Sequence, residues 1–311
     1  MKIASLLPSA TEIVCSLGLQ DSLVGVTHEC DFPVGIDAKP HLTASRISHE
    51  TMTSKEIDHA VRSQLDGHGS IYDLDTDLLE KLQPDLLITQ ELCDVCAVSY
   101  KIVSKAAKIY AADATVVSLE PTTIEEIFAN IITVGELTDF REKAEDVVAD
   151  LRRRLGIIRQ KTLGLNSRPR AFMLEWLEPA FAPGHWAPEQ VEIAGGECLL
   201  GKPGERSVTT TYNAIRESNP DVMVLIPCGY YTHDILRQLQ FTKFPADWRE
   251  IKAIEKGEVW ALDATSYFSR PGPRVVDGAE ILAKIFHPDI FGSPTDAEAV
   301  RIDPDLLQFE Q

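Results

Sequence analysis

Residues 79–90 read LEKLQPDLLITQ, and residues 215–228 read IRESNPDVMVLIPC. Each stretch is the end of a helical pattern, then a Pro-Asp step, then a short apolar run. Proline cannot continue a helix and pushes the residue before it toward extended backbone, so both helices stop there. An apolar run of this length past such a stop is the pattern of a strand buried on both faces, as in a parallel sheet. In both copies cysteine follows the strand: Cys93 and Cys96 after the first, Cys228 after the second. The recurrence points to two similar halves.

Outward from these strands the pattern alternates. KIASLL (2–7) is a buried-strand run that leads into PSATEIVCSLG (8–18), where Ser9 and Glu12 read as a capping box ahead of a helix. SLVGVTH (22–28) and TVVSLE (115–120) read as further strands, and residues 54–65 and 75–83 as helices. After Pro121 the longest helical pattern runs from Thr122 to about Thr162. Unbroken, it would span roughly 60 Å, so it either breaks near GELTDF (135–140) or bridges two lobes. RAFMLEW (170–176), PEQVEIAGG (188–196), GEVWALDA (257–264) and PRVVDGAEILAKIF (273–286) restart the alternation. The expectation is an α/β protein with lobes at residues 1–121 and 164–311, linked by residues 122–163. Residues 295–311 read as an acidic, peripheral tail.

The 311 residues are 44% hydrophobic and 25% charged, an ordinary globular composition. A net charge of −18 leaves no basic stripe for a nucleic-acid duplex. The one basic run, LRRRLGIIRQK (151–161), reads as a solvated helix face. The start, MKIASLLPSA, carries a shorter apolar run than a secretory leader needs, so the chain as written is expected in the cytoplasm. The alternative is a periplasmic or cell-surface protein whose leader lies upstream. No run reaches the roughly 20 apolar residues of a membrane helix, so no direct membrane insertion is expected. Six cysteines, at 15, 30, 93, 96, 198 and 228, are too sparse for a disulfide scaffold, and Cys15 and Cys198 read as core residues.

Ligands of open α/β sheets bind outside the carboxyl ends of the strands. Two facing lobes would gather the following loops around one cleft: 7–12, 26–33, 89–99, 175–186, 226–231 and 263–274. These loops concentrate Phe32, Trp176, Phe181, Trp186, Tyr230, Tyr231, Tyr267 and Phe268 in a chain only 7% aromatic. Such a lining suits a large, flat organic ligand. No nucleophile elbow, phosphate loop or zinc-protease motif occurs. Glu29, Glu91 and Glu175 are the only general bases an enzyme here would have. Cys93 and Cys96 form a C-x-x-C pair. With Cys30, Cys228, His28 or His185 the pair could complete an iron or zinc site; it could also line the cleft, take part in redox exchange, or only pack.

The segments KIASLLPSATEIVCSLG (2–18), LVGVTHECDFP (23–33), LEKLQPDLLITQ (79–90) and SLEPTTIEEI (118–127) resemble the cobalamin-binding, substrate-binding proteins of ABC importers. That group belongs to a wider class that also carries siderophores and haem. Residues 175–197, 218–229 and 266–283 extend the resemblance through the second half. It implies two Rossmann-like lobes joined by a long rigid helix, with the ligand cleft between the lobes. It also implies a non-catalytic role, with cobalamin or a related corrinoid as cargo and an ABC permease as partner. An iron- or haem-binding protein of the same fold is the alternative. Carried over by position, ligand contacts fall on Pro8 and Ser9; on His28, Glu29, Cys30 and Phe32; on Phe181, His185 and Trp186; on Cys228; and on Thr265, Ser266, Tyr267, Phe268, Ser269 and Arg270. Glu29 stands where better-known importers carry a tyrosine.

Overall fold

The computed structural model describes residues 1–45, 51–68, 72–90 and 100–310. The chain divides into two units. The first comprises Met1–Ser48, His59–Pro121 and Glu125–Ala149; the second comprises His49–Asp58, Thr122–Ile124 and Asp150–Gln311.

The first half runs β1 (Ile3–Ser5), α1 (Pro8–Ser16), β2 (Leu23–Gly25), β3 (Thr43–Ser45), α2 (Ser54–His68), β4 (Tyr72–Leu74), α3 (Thr76–Leu82), β5 (Leu86–Thr89), α4 (Tyr100–Tyr110) and β6 (Thr115–Ser118). Its sheet has the order β2-β1-β5-β6, all parallel. Strands β3 and β4 form a separate antiparallel pair. All four residues of β5 are buried, as the apolar run 86–89 requires. Leu87 packs with Ala4, Leu6, Leu79 and Val103 in one core.

Two helices, α5 (Ile124–Leu137) and α6 (Arg141–Thr162), occupy the long helical stretch. They part at residues 138–140, where Asp139 has a φ of 61° and Phe140 N donates to Gly135 O at 2.7 Å. A Cβ on Gly135 would come within 2.5 Å of Ala144 Cβ, so glycine is what lets the start of α6 approach α5 closely.

The second half continues with β7 (Arg170–Leu174), β8 (Phe181–Ala182), α7 (Ala187–Ile193), β9 (Glu197–Cys198), β10 (Val208–Thr209), α8 (Tyr212–Ser218), β11 (Val222–Leu225), α9 (Thr232–Leu239), β12 (Lys243–Phe244), α10 (Lys252–Glu255), β13 (Val259–Leu262), α11 (Ala264–Tyr267), α12 (Val275–Phe286), α13 (Pro288–Phe291), β14 (Ala299–Arg301) and β15 (Gln308–Phe309). Its sheet has the order β14-β13-β11-β7-β9, parallel except for β14. The C-terminal segment is therefore not a peripheral tail. It supplies the antiparallel edge strand β14, and β15 pairs with β12. Arg154, in the basic run, is likewise not simply solvated: it reaches Asp277 and Glu280 of α12 at 2.5 and 2.6 Å.

The two Pro-Asp steps form the same corner. Gln83 and Asn219 each cap a helix in left-handed backbone, with φ of 45° and 44°. Asp85 Oδ2 accepts from Lys2 N at 2.6 Å, just before β1. Asp221 Oδ2 accepts from Arg170 N at 3.0 Å, at the start of β7. In each unit the aspartate carboxylate thus ties the entry of one central strand to its neighbour and fixes their register. All four residues of β11 are buried, each contributing about 1.5–3 kcal/mol relative to exposure.

Candidate functional site

In the first unit, β1 passes directly into α1. Pro8 occupies the first helical turn and Leu7 is the cap residue, without a side-chain capping bond. The expected Ser9–Glu12 capping box does not form, because the helix starts before Ser9 and leaves it inside the first turn, buried. Proline suits that start because its missing N–H would have had no helical partner. Ser5 Oγ donates to Leu7 O at 2.9 Å, and Thr11 Oγ1 donates to Ser5 Oγ at 2.8 Å. Thr11 has then spent its only hydrogen, so the Cys30 thiol, 3.1 Å away, is the donor in their contact. Cys30 is 3% exposed and serves this buried network.

The loop after β2 carries His28 and Glu29. Thr43 Oγ1 donates to Thr27 Oγ1 at 2.7 Å, so it accepts from His28 Nδ1 at 2.8 Å. That assigns the Nδ1–H tautomer and turns Nε2 toward Glu29 Oε1, at 3.2 Å. The approach is within ion-pair range but not aligned as a hydrogen bond, and Nε2 is otherwise without a partner. Phe32, farther along, is exposed. Gln90 directly follows β5, is 4% exposed and has an Oε1 without a partner.

In the second unit three loops meet past the strand ends. Glu175 follows β7. Its carbonyl accepts from Cys228 N at 3.1 Å, which brings in the loop after β11. Its carboxylate accepts from Gly184 N at 3.2 Å and from Ser207 Oγ. Burial pushes this carboxyl up to about 7, against the pull of those two donors. The loop after β13 is held by Trp186 Nε1, which donates to Phe268 O at 2.8 Å, and by Gln190 Nε2, which donates to Tyr267 O at 3.0 Å. Ala264 N and Thr265 N both donate to Tyr230 O, and Gly229 N to Ser269 Oγ. Asp263 caps α11 by accepting from Ser266 N at 2.9 Å, and burial raises its carboxyl while Arg274 and Arg270 oppose the shift. Ser266, Phe268 and Arg270 are buried, Phe181 and Tyr267 are half-buried, and Cys228 is exposed. Thr265, 5% exposed, has an Oγ1 without a partner.

His185 sits at the tightest point of this assembly. Its φ is 53°, in the left-handed region that costs non-glycine residues of order 1–3 kcal/mol when enforced. Its N donates to Glu205 O and its O accepts from Gly204 N. A Cβ on the preceding Gly184 would lie 2.1 Å from Ser207 N, so only glycine allows that approach. His185 Nε2 has no partner, and burial, with Arg206 nearby, lowers the pKa of the ring. A buried polar atom left unpaired costs about 1–3 kcal/mol.

Other expected residues take structural roles. Tyr230 is fully buried and packs edge-on against Trp176 at 5.3 Å. Its OH lies 3.3 Å from Ser54 Oγ, and Trp176 Nε1 donates to Ser54 O. Both rings therefore seat the segment around Ser54, which belongs to the second unit. The thiols of Cys15 and Cys198 are pushed up to about 11 and about 12, chiefly by burial, as inert core thiols. Among the described residues no group of three or more His, Cys, Asp or Glu comes together to hold a metal ion. Glu91 and the Cys93–Cys96 pair lie outside the described residues. Thr43, Gln90, Gln190 and the 205–207 segment escaped the sequence reading. Gln90 alone had a local signal, as the polar residue ending a buried strand.

No helix among the described residues is long and apolar enough to cross a membrane. The chain is 24% identical to a vitamin B12-binding protein of Vibrio cholerae over 90% of this chain and 86% of that one. It is 25% identical to an uncharacterised ABC transporter substrate-binding lipoprotein of Bacillus subtilis, over 93% and 81%. A periplasmic heme-binding protein from Pseudomonas aeruginosa shares the fold, with a TM-score of 0.73 at 18% identity, covering 97% of this chain and 99% of that one. A family model described as periplasmic binding protein matches residues 3–265. These findings overturn the expectation of a cytoplasmic protein, which rested on the short apolar start alone: the relatives are periplasmic proteins or lipoproteins. The chain belongs to the periplasmic binding protein family, as a solute-binding protein and not an enzyme.

Proposed function

We propose that this protein captures cobalamin or a related corrinoid at the cell envelope and delivers it to an ABC permease. The observation that carries the reading is the set of unpaired polar atoms past the strand ends. His28 Nε2 and Gln90 Oε1 in the first unit, and His185 Nε2 and Thr265 Oγ1 in the second, are buried and lack hydrogen-bond partners among the described residues. Buried polar groups are normally paired, so in each unit by itself these atoms are best explained as open positions for a ligand. Gln90 Oε1 and Thr265 Oγ1 belong to neutral hydrogen-bonding groups. They match the primary amides that rim a corrin ring better than the carboxylates that rim a haem. The exposed ring of Phe32 adds apolar surface suited to a flat macrocycle. The Vibrio cholerae relative, a vitamin B12-binding protein, supports the same cargo.

Much of the loop framework past the second sheet is fixed by backbone hydrogen bonds before any ligand arrives. Affinity then comes from preorganisation more than from loop closure. The test is retention of cyanocobalamin through gel filtration, read from its visible bands, with haemin as competitor. Retained corrinoid that haemin does not displace is the expected result. Retained haemin and no retained corrinoid would replace the reading with the haem-binding one, which the Pseudomonas aeruginosa neighbour supports.

A further inference from the structure

We propose that His185 supplies an axial nitrogen to the cobalt of the bound corrinoid. The inference rests on the corrinoid reading above and adds to it a direct bond between protein and metal.

Three observations carry it. The backbone at His185 is held at a φ of 53°, where glycine would sit without strain. That conformation is enforced from both sides: His185 N and O are bonded to Glu205 O and Gly204 N, and Gly184 N is bonded to the Glu175 carboxylate. Strain kept in place by so many contacts marks a side chain whose position matters. The imidazole, half-buried, has a buried Nε2 without a partner, and its backbone is pinned independently of the ring. Turning the ring about Cβ–Cγ would break no hydrogen bond at Nε2. An ordinary imidazole is largely neutral at about pH 7 and keeps a lone pair on one nitrogen. A neutral imidazole nitrogen is a good donor to a transition metal of intermediate softness.

His28 does not qualify in the same way. Its Nε2 faces the Glu29 carboxylate at 3.2 Å, a close polar neighbour that His185 Nε2 lacks among the described residues.

The step is a ligand exchange at Co(III). A coordinated water leaves, the Co–O bond breaks, and the imidazole lone pair forms the Co–N bond. No electron is transferred and cobalt stays trivalent.

The test uses diaquocobinamide, a corrinoid without the nucleotide arm, so that no nitrogenous base of its own can reach cobalt. On binding to the whole protein, its visible bands should shift as they do with added imidazole. After reduction to Co(II), the electron paramagnetic resonance spectrum should show the three-line splitting of one axial nitrogen. His185→Ala should lose both signatures and bind cobinamide roughly tenfold or more weakly, the scale on which metal sites respond to lost support. His185→Gly should also lose the shift while keeping the fold, because glycine accepts the backbone conformation. Free imidazole added to that variant should restore the shift.

Cobinamide bound by the native protein with its free spectrum unchanged would overturn the inference, as would a shift that persists in His185→Ala. Either result leaves the corrinoid reading standing. Failure of the native protein to retain either cobinamide or cobalamin would overturn the corrinoid reading and this inference together.

Discussion

His28 and His185 occupy comparable places, each in a loop past the carboxyl end of its own unit's sheet, and they are treated in opposite ways. His28 is oriented by side chains: Thr27 and Thr43 fix its tautomer and Glu29 faces its other nitrogen. Its backbone is ordinary. His185 is oriented by backbone, at a left-handed φ between two main-chain hydrogen bonds, and its buried Nε2 has no hydrogen-bond partner among the described residues. A carboxylate stands beside the second ring nitrogen in the first case, while in the second burial, and then Arg206, hold the ring toward its neutral form. Residue type thus says little about role. What surrounds the second ring nitrogen decides it.

The contrast can be broken most severely at Gly184. Gly184→Ala would place a Cβ against Ser207 and Arg206 backbone atoms that cannot yield, and should destabilise the second unit by roughly 3 kcal/mol, read as a lower denaturant midpoint. An unchanged midpoint would show that the loop is not pinned as described. Next is Glu175. Its carboxyl is raised from 4.5 to about 7 in the folded protein, so the folded state binds the proton more tightly than the unfolded one. Stability from this group is complete below about pH 4.5 and is lost as pH rises through about 7. The loss is up to roughly 3 kcal/mol. Glu175→Gln should flatten that slope in melting temperature against pH; an identical slope in both proteins would remove Glu175 as its source.

Thr43→Val should cost about 1 kcal/mol by stranding His28 Nδ1. It should also free the tautomer, visible in the nitrogen chemical shifts of the ring; a ring still locked as the Nδ1–H form would mean another group orients it. The smallest effect is expected for His185→Gly. Relief of the left-handed backbone and removal of the unpaired nitrogen should outweigh the added chain entropy, for a gain of about 1 kcal/mol in a thermal melt. A clear loss would mean that the imidazole is a packing group.

The fold was legible where local chemistry decides it. The Pro-Asp steps announced both central strands, because helix termination and a four-residue apolar run are read from neighbours in sequence. The helix break at residues 138–140 was one of two readings, and Gly135 shows why it won. The capping box failed because Pro8 competes for the same turn and proline prefers the first helical position. The C-terminal strands β14 and β15 were missed because edge strands carry polar residues and look like a tail. At the site, the loops were legible from strand ends, but the partners were not. Thr43 reaches His28, Ser207 reaches Glu175, and Ser54 takes up Trp176 and Tyr230, all through contacts that no spacing rule foretells. Trp176, Trp186 and Tyr230, rings that composition marked for the ligand, are spent on contacts within the chain itself.

The segment around Ser54 has a consequence for how the protein is made. Ser54 is built 122 residues before Trp176, 176 before Tyr230 and 184 before Gln238, the residues that seat it in the second unit. A chain emerging from the ribosome therefore presents the first turn of α2 long before its docking surface exists. The first unit's sheet can close around that gap, since β1, β2, β5 and β6 are all synthesised by Ser118. The start of α2 must wait until Trp176, Tyr230 and Gln238 have been made. The protein's two halves are then not independent modules in time, and slow or truncated synthesis should expose this segment first.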